Sequence, residues 1–374
     1  MKDTTILDII THRLHNQQLV GTQFKTPGEV VAWFGAVQAQ DYPGGKWAVA
    51  LRLPGATDKD IEAAIADRSI IRTWPMRGTL HFVAARDIRW MLEVLASRAL
   101  AGAAGRHRQL ELDEATFARS RDVLTGALEG GKTLSRPAMY QTLEAAGIST
   151  EGQRGIHILG RLAQEGLICF ASHEGKQPAF ALLDEWAPDA PRLERDAALV
   201  ELARRYFTSH GPATIQDFVW WSGLTVADAR SGLERARSHL VEAKVSGQSY
   251  WLPPDTPAVR PAPPFVHLLP AYDEYMVAYR DRNAALHAAH SRRLSPPNSV
   301  VLGPIIVVDG QFAGAWKRNT SKDRVDIKAQ PILPLSDAER QALAHVANRY
   351  GDFMGLRARL TLDGLDGPTL DKYA

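Results

Sequence analysis

Apolar residues recur at helical spacing through Ile6, Ile9, Ile10 and Leu14, which predicts a helix from about Thr5 to Gln18. After Lys25, Thr26-Pro27-Gly28-Glu29 combines an N-cap threonine, a proline at the first helical position and a glutamate at the third. This predicts a second helix running to about Gln40. Pro54-Gly55 marks a turn, residues 58–67 predict a third helix, and Ile70–Trp74 with Thr79–Val83 predict two strands.

The order then recurs. Residues 113–128, 135–146 and 154–165 read as helices, followed by strands at Leu167–Ala171 and Ala179–Leu183 around His173-Glu174-Gly175-Lys176. Residues 194–209, 214–221 and 225–238 read as helices, followed by Leu240–Val245 and Ser249–Leu252. Helices closed by a two-stranded wing, repeated along the chain, predict tandem winged-helix units over 1–110, 111–190 and 191–255. The repetition lies in element order, not in residue identity.

Prolines crowd at Pro253, Pro254, Pro257, Pro261, Pro263 and Pro264, which suits an extended linker. Beyond it, Val300–Val308 and residues 311–317 flank Asp309-Gly310, a strong hairpin signal. Strands at 324–333 and 356–362 bracket a helix at about 336–350. The expected fold class is α+β: three winged-helix (helix-turn-helix plus wing) domains, then a small, mostly β C-terminal domain over 256–374 with a hairpin and a terminal helix.

Composition narrows the function class. Of the 374 residues 45% are hydrophobic and 23% charged, the balance of a folded soluble protein built from several cores. No apolar run is long enough to span a bilayer and no signal peptide is visible, so a cytoplasmic home is expected and no membrane partner. The single cysteine, Cys169, excludes an internal disulfide and any site needing several thiolates. Net charge is only +2, yet nine basic residues (Arg280, Arg282, Arg292, Arg293, Lys317, Arg318, Lys322, Arg324 and Lys328) face four acidic ones between positions 280 and 328. Such a local surplus suits phosphate binding, and equally a solvated loop face.

The candidate chemistry lies in Val37-Gln38-Ala39-Gln40-Asp41-Tyr42. Two glutamines two positions apart, at a helix end or in extended chain, can aim at one point. Their carboxamides offer two acceptors and four donors, enough to fix one water. Taken alone, such a pair is more often exposed polar chain or a helix cap.

Three stretches together carry a resemblance: Val37-Gln38-Ala39-Gln40, then Arg72-Thr73-Trp74-Pro75-Met76-Arg77-Gly78-Thr79-Leu80-His81, then Leu268-Leu269-Pro270-Ala271-Tyr272-Asp273-Glu274-Tyr275 with Tyr279-Arg280-Asp281-Arg282. In this order they resemble the AlkZ family of winged-helix DNA glycosylases, in particular the member that protects an antibiotic producer against the interstrand crosslinks of azinomycin B. The resemblance implies a monofunctional DNA glycosylase that excises N7-alkylated purines and unhooks interstrand crosslinks in DNA repair and self-resistance. It implies three winged helices and a β domain around a DNA channel. Gln38-Ala39-Gln40 fits the branch with glutamine at both catalytic positions and departs from the branch with aspartate at the second.

Glutamine suits that role, because alkylation at N7 makes the purine cationic and it departs as a neutral base. What remains is to place water beneath an oxocarbenium-like sugar. Asp41 and His81 are supporting candidates, each also readable as structural: a helix C-terminal or turn residue, and a satisfied strand histidine. Arg72, Arg77, Lys317 and Arg318 are the expected phosphate contacts. Gln311 and Phe312, beside the Asp309-Gly310 turn, are candidates for a probe entering a groove, with an ordinary exposed turn as the alternative. His287 and His290 stand at helical spacing without further ligands, so no metal site is expected. Trp220-Trp221 reads as core. No phosphate loop or nucleophile elbow appears and no cofactor is implied. The expected partner is double-stranded DNA carrying alkylated or crosslinked purines, met by a monomer associated with the nucleoid. The rival reading is a non-catalytic winged-helix regulator or architectural protein, which would dimerise on paired half-sites.

Overall fold

The structure, a computed structural model, describes residues 6–173, 177–256, 262–286 and 303–363. The chain opens with α1 (Ile6–Asn16) and α2 (Pro27–Phe34). The Thr26–Glu29 capping box starts α2 as the sequence predicts. Its end differs: Gly35, at φ 79°, stops the helix, and Ala36–Gln38 form strand β1 instead of a further helical turn. Helices α3 (Tyr42–Ala50) and α4 (Asp58–Ala66), strands β2 (Ile70–Met76) and β3 (Thr79–Ala84), and the long α5 (Ile88–Gln109) follow. The apolar pattern predicts neither α3 nor α5.

Next come α6 (Glu114–Leu128), β4 (Leu134–Ser135), α7 (Arg136–Ala145), α8 (Arg154–Gln164), β5 (Ile168–Phe170), β6 (Ala179–Leu182) and α9 (Leu183–Trp186). A further helical run, α10 (Arg195–His210), α11 (Ile215–Ser222) and α12 (Val226–Ala236), leads into the hairpin β7 (Val241–Val245) and β8 (Gln248–Leu252). The last part holds β9 (Val266–Leu269), α13 (Glu274–Val277), β10 (Ile305–Val308), β11 (Gln311–Thr320), β12 (Arg324–Pro331), α14 (Asp337–Met354) and β13 (Arg357–Leu362). The fold is mixed α and β.

The predicted hairpins do not stand apart. Strands order as β1-β3-β2-β5-β6-β4 in one six-stranded sheet, so the first two hairpins are joined where Arg72 pairs with Phe170. A five-stranded sheet, β13-β12-β11-β10-β9, builds the last part, with β13 running parallel to β12.

Packing crosses the sequence in the same way. One core joins Val31, Phe34, Trp47 and Ile61 to Leu268, Trp316, Val325 and Tyr350. The indoles of Trp47 and Trp316 donate to Leu268 O and Leu269 O, each at 2.7 Å, so neither buried N–H is left unmade. A second core sets Trp90 and Met91 of α5 against Leu202, Tyr206, Phe207 and Trp221. A third gathers Leu124, Met139, Leu143, Ile158, Phe170 and Phe180 around Trp74 and Leu80 of the first hairpin. Each such side chain contributes roughly 1.5–3 kcal/mol over an exposed position.

Candidate active site

Strand β1 ends on Gln38, whose Cα pairs with that of His81 on β3. Gln38 is 6% exposed, whereas Gln40, two residues on, is open to solvent. The side-chain carbonyl of Gln38 accepts the N–H of Gln40 at 2.9 Å, and that of Gln40 accepts the N–H of Leu80 at 3.2 Å. Each carboxamide oxygen is thus oriented by a backbone donor and keeps a second lone pair for an incoming hydrogen. The loop between them is fixed as well, since Ala39 N–H donates to Leu80 O and Ala39 O accepts both Nε and Nη2 of Arg72.

Arg72 therefore sits behind the glutamine loop and not on the surface. It is 8% exposed, between the rings of Tyr42 (5.0 Å) and Phe170 (4.9 Å), and burial lowers its pKa to about 10. The expected phosphate contact is a clamp on the loop, its guanidinium engaged with the carbonyl between the two glutamines. Arg77 also turns inward: its Nη1 lies 3.4 Å from Trp220 O, and burial lowers its pKa against the pull of Glu274.

Asp41 stands at the N-terminus of α3, not at a helix C-terminus, and makes no capping bond. Its carboxylate lies 3.7 Å from Arg318, which reaches over from β11. Helix α3 packs directly on the glutamine loop through Gly45, where a Cβ would stand 3.1 Å from both Gln38 O and Ala39 Cα. His81 is fully buried. Its Nδ1 lies 3.0 Å from Thr79 O, which makes Nδ1 the protonated nitrogen and leaves Nε2 as a buried acceptor without a partner. Burial and the nearby Arg77 lower its pKa to about 4, so it is neutral at physiological pH.

Sequence reasoning gave no site role to the carboxylates beneath this loop, Asp273 and Glu274, although they stand in one of the stretches that carry the resemblance. Glu274, 1% exposed, accepts the backbone N–H of Gln38 on Oε1 (2.8 Å) and the indole N–H of Trp221 on Oε2 (3.0 Å). His210 Nε2 lies 3.4 Å from the same Oε2. Burial opposes the charge on Glu274, but His210 and the Gln38 N–H outweigh it and hold the carboxyl below its ordinary range. Next to it, Asp273 makes a two-pronged pair with Arg52 at 2.8 and 2.9 Å, both side chains 1% exposed. A signal for both was present in the sequence: adjacent carboxylates between the apolar runs Leu268-Leu269 and Tyr275-Met276-Val277 are hard to bury without dedicated partners.

The Asp309-Gly310 turn forms where predicted, but it is no groove probe. Gly310 (φ 80°) packs on α1, where a Cβ would meet Ile10 at 2.2 Å, and its carbonyl accepts from Tyr275 OH. Phe312 is 2% exposed in the core and Gln311 Nε2 donates to Ala284 O. The exposed hairpin is the next one, β11–β12, with Lys317, Lys322 and Arg324 open to solvent and Arg318 beside Asp41. Trp221 is core as expected, whereas Trp220 is 40% exposed and sits beside Arg282. His287, His290, Arg292 and Arg293 lie outside the described residues. Among the described residues no helix is long and apolar enough to cross a membrane, and no group of three or more His, Cys, Asp or Glu is placed to hold a metal.

The chain is 24% identical over 367 residues to an interstrand DNA cross-link repair glycosylase of Streptomyces sahachiroi, covering 92% of this chain and 96% of that protein. The solved structure of the Streptomyces sahachiroi DNA glycosylase AlkZ superimposes with a TM-score of 0.79 at 20% identity, over 97% of this chain and 100% of that one, so the fold is shared. The sequence profile of the DNA glycosylase AlkZ-like family matches residues 31–353, a span running from α2 to α14, and the chain belongs to that family.

Proposed function

We propose that this protein hydrolyses the N-glycosidic bond of N7-alkylated purines in duplex DNA and unhooks interstrand crosslinks, as the name of its Streptomyces relative describes for that protein. The observation that carries this reading is the pair of glutamine carbonyls, each held by one backbone N–H on a loop that opens to solvent at Gln40. A water between them donates one hydrogen to each oxygen and turns a lone pair toward the anomeric carbon. The C1′–N9 bond breaks first in the main, its electron pair leaving with the base and cancelling the positive charge of the alkylated ring. Water then bonds to C1′ and its proton passes to solvent at the open mouth of the site. Neutral glutamines give no strong base, so the reaction is confined to purines that are already good leaving groups.

The chain is organised for this as three winged-helix units, 1–110, 111–190 and 191–255, and a β domain, 256–374, around a DNA channel. The helices followed by a hairpin in each of the first three segments support this division. The exposed β11–β12 hairpin, with Lys317 open to solvent and Arg318 near Asp41, faces the duplex and holds phosphates without reading sequence. The protein acts as a monomer on nucleoid DNA in the cytoplasm.

The test is incubation with duplex carrying a single N7-methylguanine, followed by base-release and alkaline strand-break assays. Released base and an abasic site are expected, with far slower release of uracil, hypoxanthine or 8-oxoguanine. Binding without release of any alkylated base would leave a non-catalytic DNA-binding protein.

A further inference from the structure

The glutamine loop contains no charge of its own directed at the reacting sugar. Asp41 faces Arg318 at 3.7 Å, and His81 is neutral. Beneath the loop lies a carboxylate that hydrolysis by the two glutamines does not use. We propose that Glu274, 236 positions from Gln38 in sequence, is a positioning residue that also supplies the fixed negative charge for the oxocarbenium-like sugar in this reaction. The inference rests on the glycosylase reading above.

Four observations carry it. Glu274 bonds the backbone of Gln38 itself, so its charge is fixed relative to the water-holding carboxamide. Its other oxygen has only one well-formed donor, the Trp221 indole, with His210 at 3.4 Å. Buried Glu274 makes no two-pronged guanidinium pair such as its neighbour Asp273 makes with Arg52; its direct donors are the Gln38 and Trp221 N–H groups, with His210 at 3.4 Å and Arg77 within electrostatic reach, so its charge is only partly compensated. His81, paired in register with Gln38, presents a buried Nε2 acceptor without a partner, beside the likewise unpartnered Thr73 hydroxyl, so this face of the sheet is polar and incompletely satisfied. A buried, incompletely compensated carboxylate projects a field through a low-dielectric interior far better than one in water, and a cationic sugar is what that field stabilises.

A structural peg would hold Gln38 equally well for any ligand, whereas a charge distinguishes cationic ligands from neutral ones. The experiment compares affinities for two duplexes, one with a cationic pyrrolidine abasic analogue and one with neutral tetrahydrofuran at the same position. It is run alongside single-turnover release of N7-methylguanine. The unmodified protein should bind the pyrrolidine duplex about tenfold tighter. Glu274→Gln should bring that ratio close to one and slow release by about 100-fold, while Glu274→Asp recovers part of the preference. A Glu274→Gln protein that folds and keeps the full preference overturns the proposal. Should that variant not fold, Trp221→Phe decides: removing an N–H donor leaves the carboxylate less compensated and should raise the preference about threefold. An unchanged ratio overturns the proposal there too. If the unmodified protein releases no N7-methylguanine at all, the glycosylase reading itself has failed, an outcome separate from an unaltered ratio in an active enzyme.

Discussion

Of all the side chains in the site, Gln38 and Gln40 are held most economically, since one backbone N–H orients each carbonyl. Gln38→Ala and Gln40→Ala are expected to slow base release by about 100-fold or more, the usual result of losing one preorganised polar group. Affinity for duplex DNA should hardly move, and the loss of stability should stay near 1 kcal/mol for each missing hydrogen bond. A double variant that still releases N7-methylguanine at the original rate would remove both residues from the mechanism. Arg72 allows a finer distinction. Lysine cannot reproduce two guanidinium N–H bonds to Ala39 O between two aromatic rings. Arg72→Lys should therefore slow release by about tenfold or more with affinity unchanged. Weakened binding at an unaltered rate would return Arg72 to the DNA interface. The glutamine pair was legible in the sequence as a motif, but the groups that fix it were not, because the Leu80 N–H that donates to Gln40 and the Glu274 carboxylate that accepts from Gln38 reach it only through strand pairing and long-range packing.

Among the elements, the hairpins were the most legible and their roles the least. Asp309-Gly310 announced a two-residue turn, yet nothing in its sequence says that the tip meets α1. Gly310→Ala should cost on the order of 2–4 kcal/mol, because it adds a strained positive φ to a collision with Ile10, and thermal melting would record it. A melting temperature within a degree of the unmodified protein would mean the turn relaxes freely. On the neighbouring hairpin, Lys317→Glu with Arg318→Glu should weaken binding to all duplex sequences alike and flatten the dependence of affinity on salt. Loss confined to one sequence would point to base reading. Helices α3 and α5 escaped the sequence reading for different reasons. Pro43-Gly44-Gly45 at the start of α3 reads as a loop until Gly45 is seen packed on Ala39. Helix α5 is buried on one half and studded with Ala, Gly and Arg on the other, so its apolar stripe fades along its length.

Over the whole molecule, buried histidines make acid the characteristic stress. His81 and His267 are both buried with pKa values lowered to about 4, and burial lowers His210 too, in each case mainly because a charged imidazole would lose its water. A folded-state pKa below the unfolded value of about 6.5 means that the unfolded chain takes up protons first. Stability is therefore complete above about pH 6.5 and declines as pH falls toward 4, by up to about 3 kcal/mol for each of the first two. Melting followed from pH 7.5 to 4.5 should show the decline, and His267→Gln should flatten it. An identical slope in that variant would place the acid sensitivity elsewhere.

The sheet shared by the first two hairpins has a bearing on inheritance. A contact path runs from Phe180 to Phe170 (4.5 Å), from Phe170 to Arg72, and from Arg72 to the carbonyl between the two glutamines. Residues of the second segment thus answer for the rigidity of a loop they never touch. Substitutions there that leave the protein soluble and able to grip DNA would still be carried as loss-of-repair alleles. Phe170 and Phe180 are accordingly positions where a change is expected to inactivate the protein without unfolding it, and lineages under alkylating pressure are expected to purge such changes.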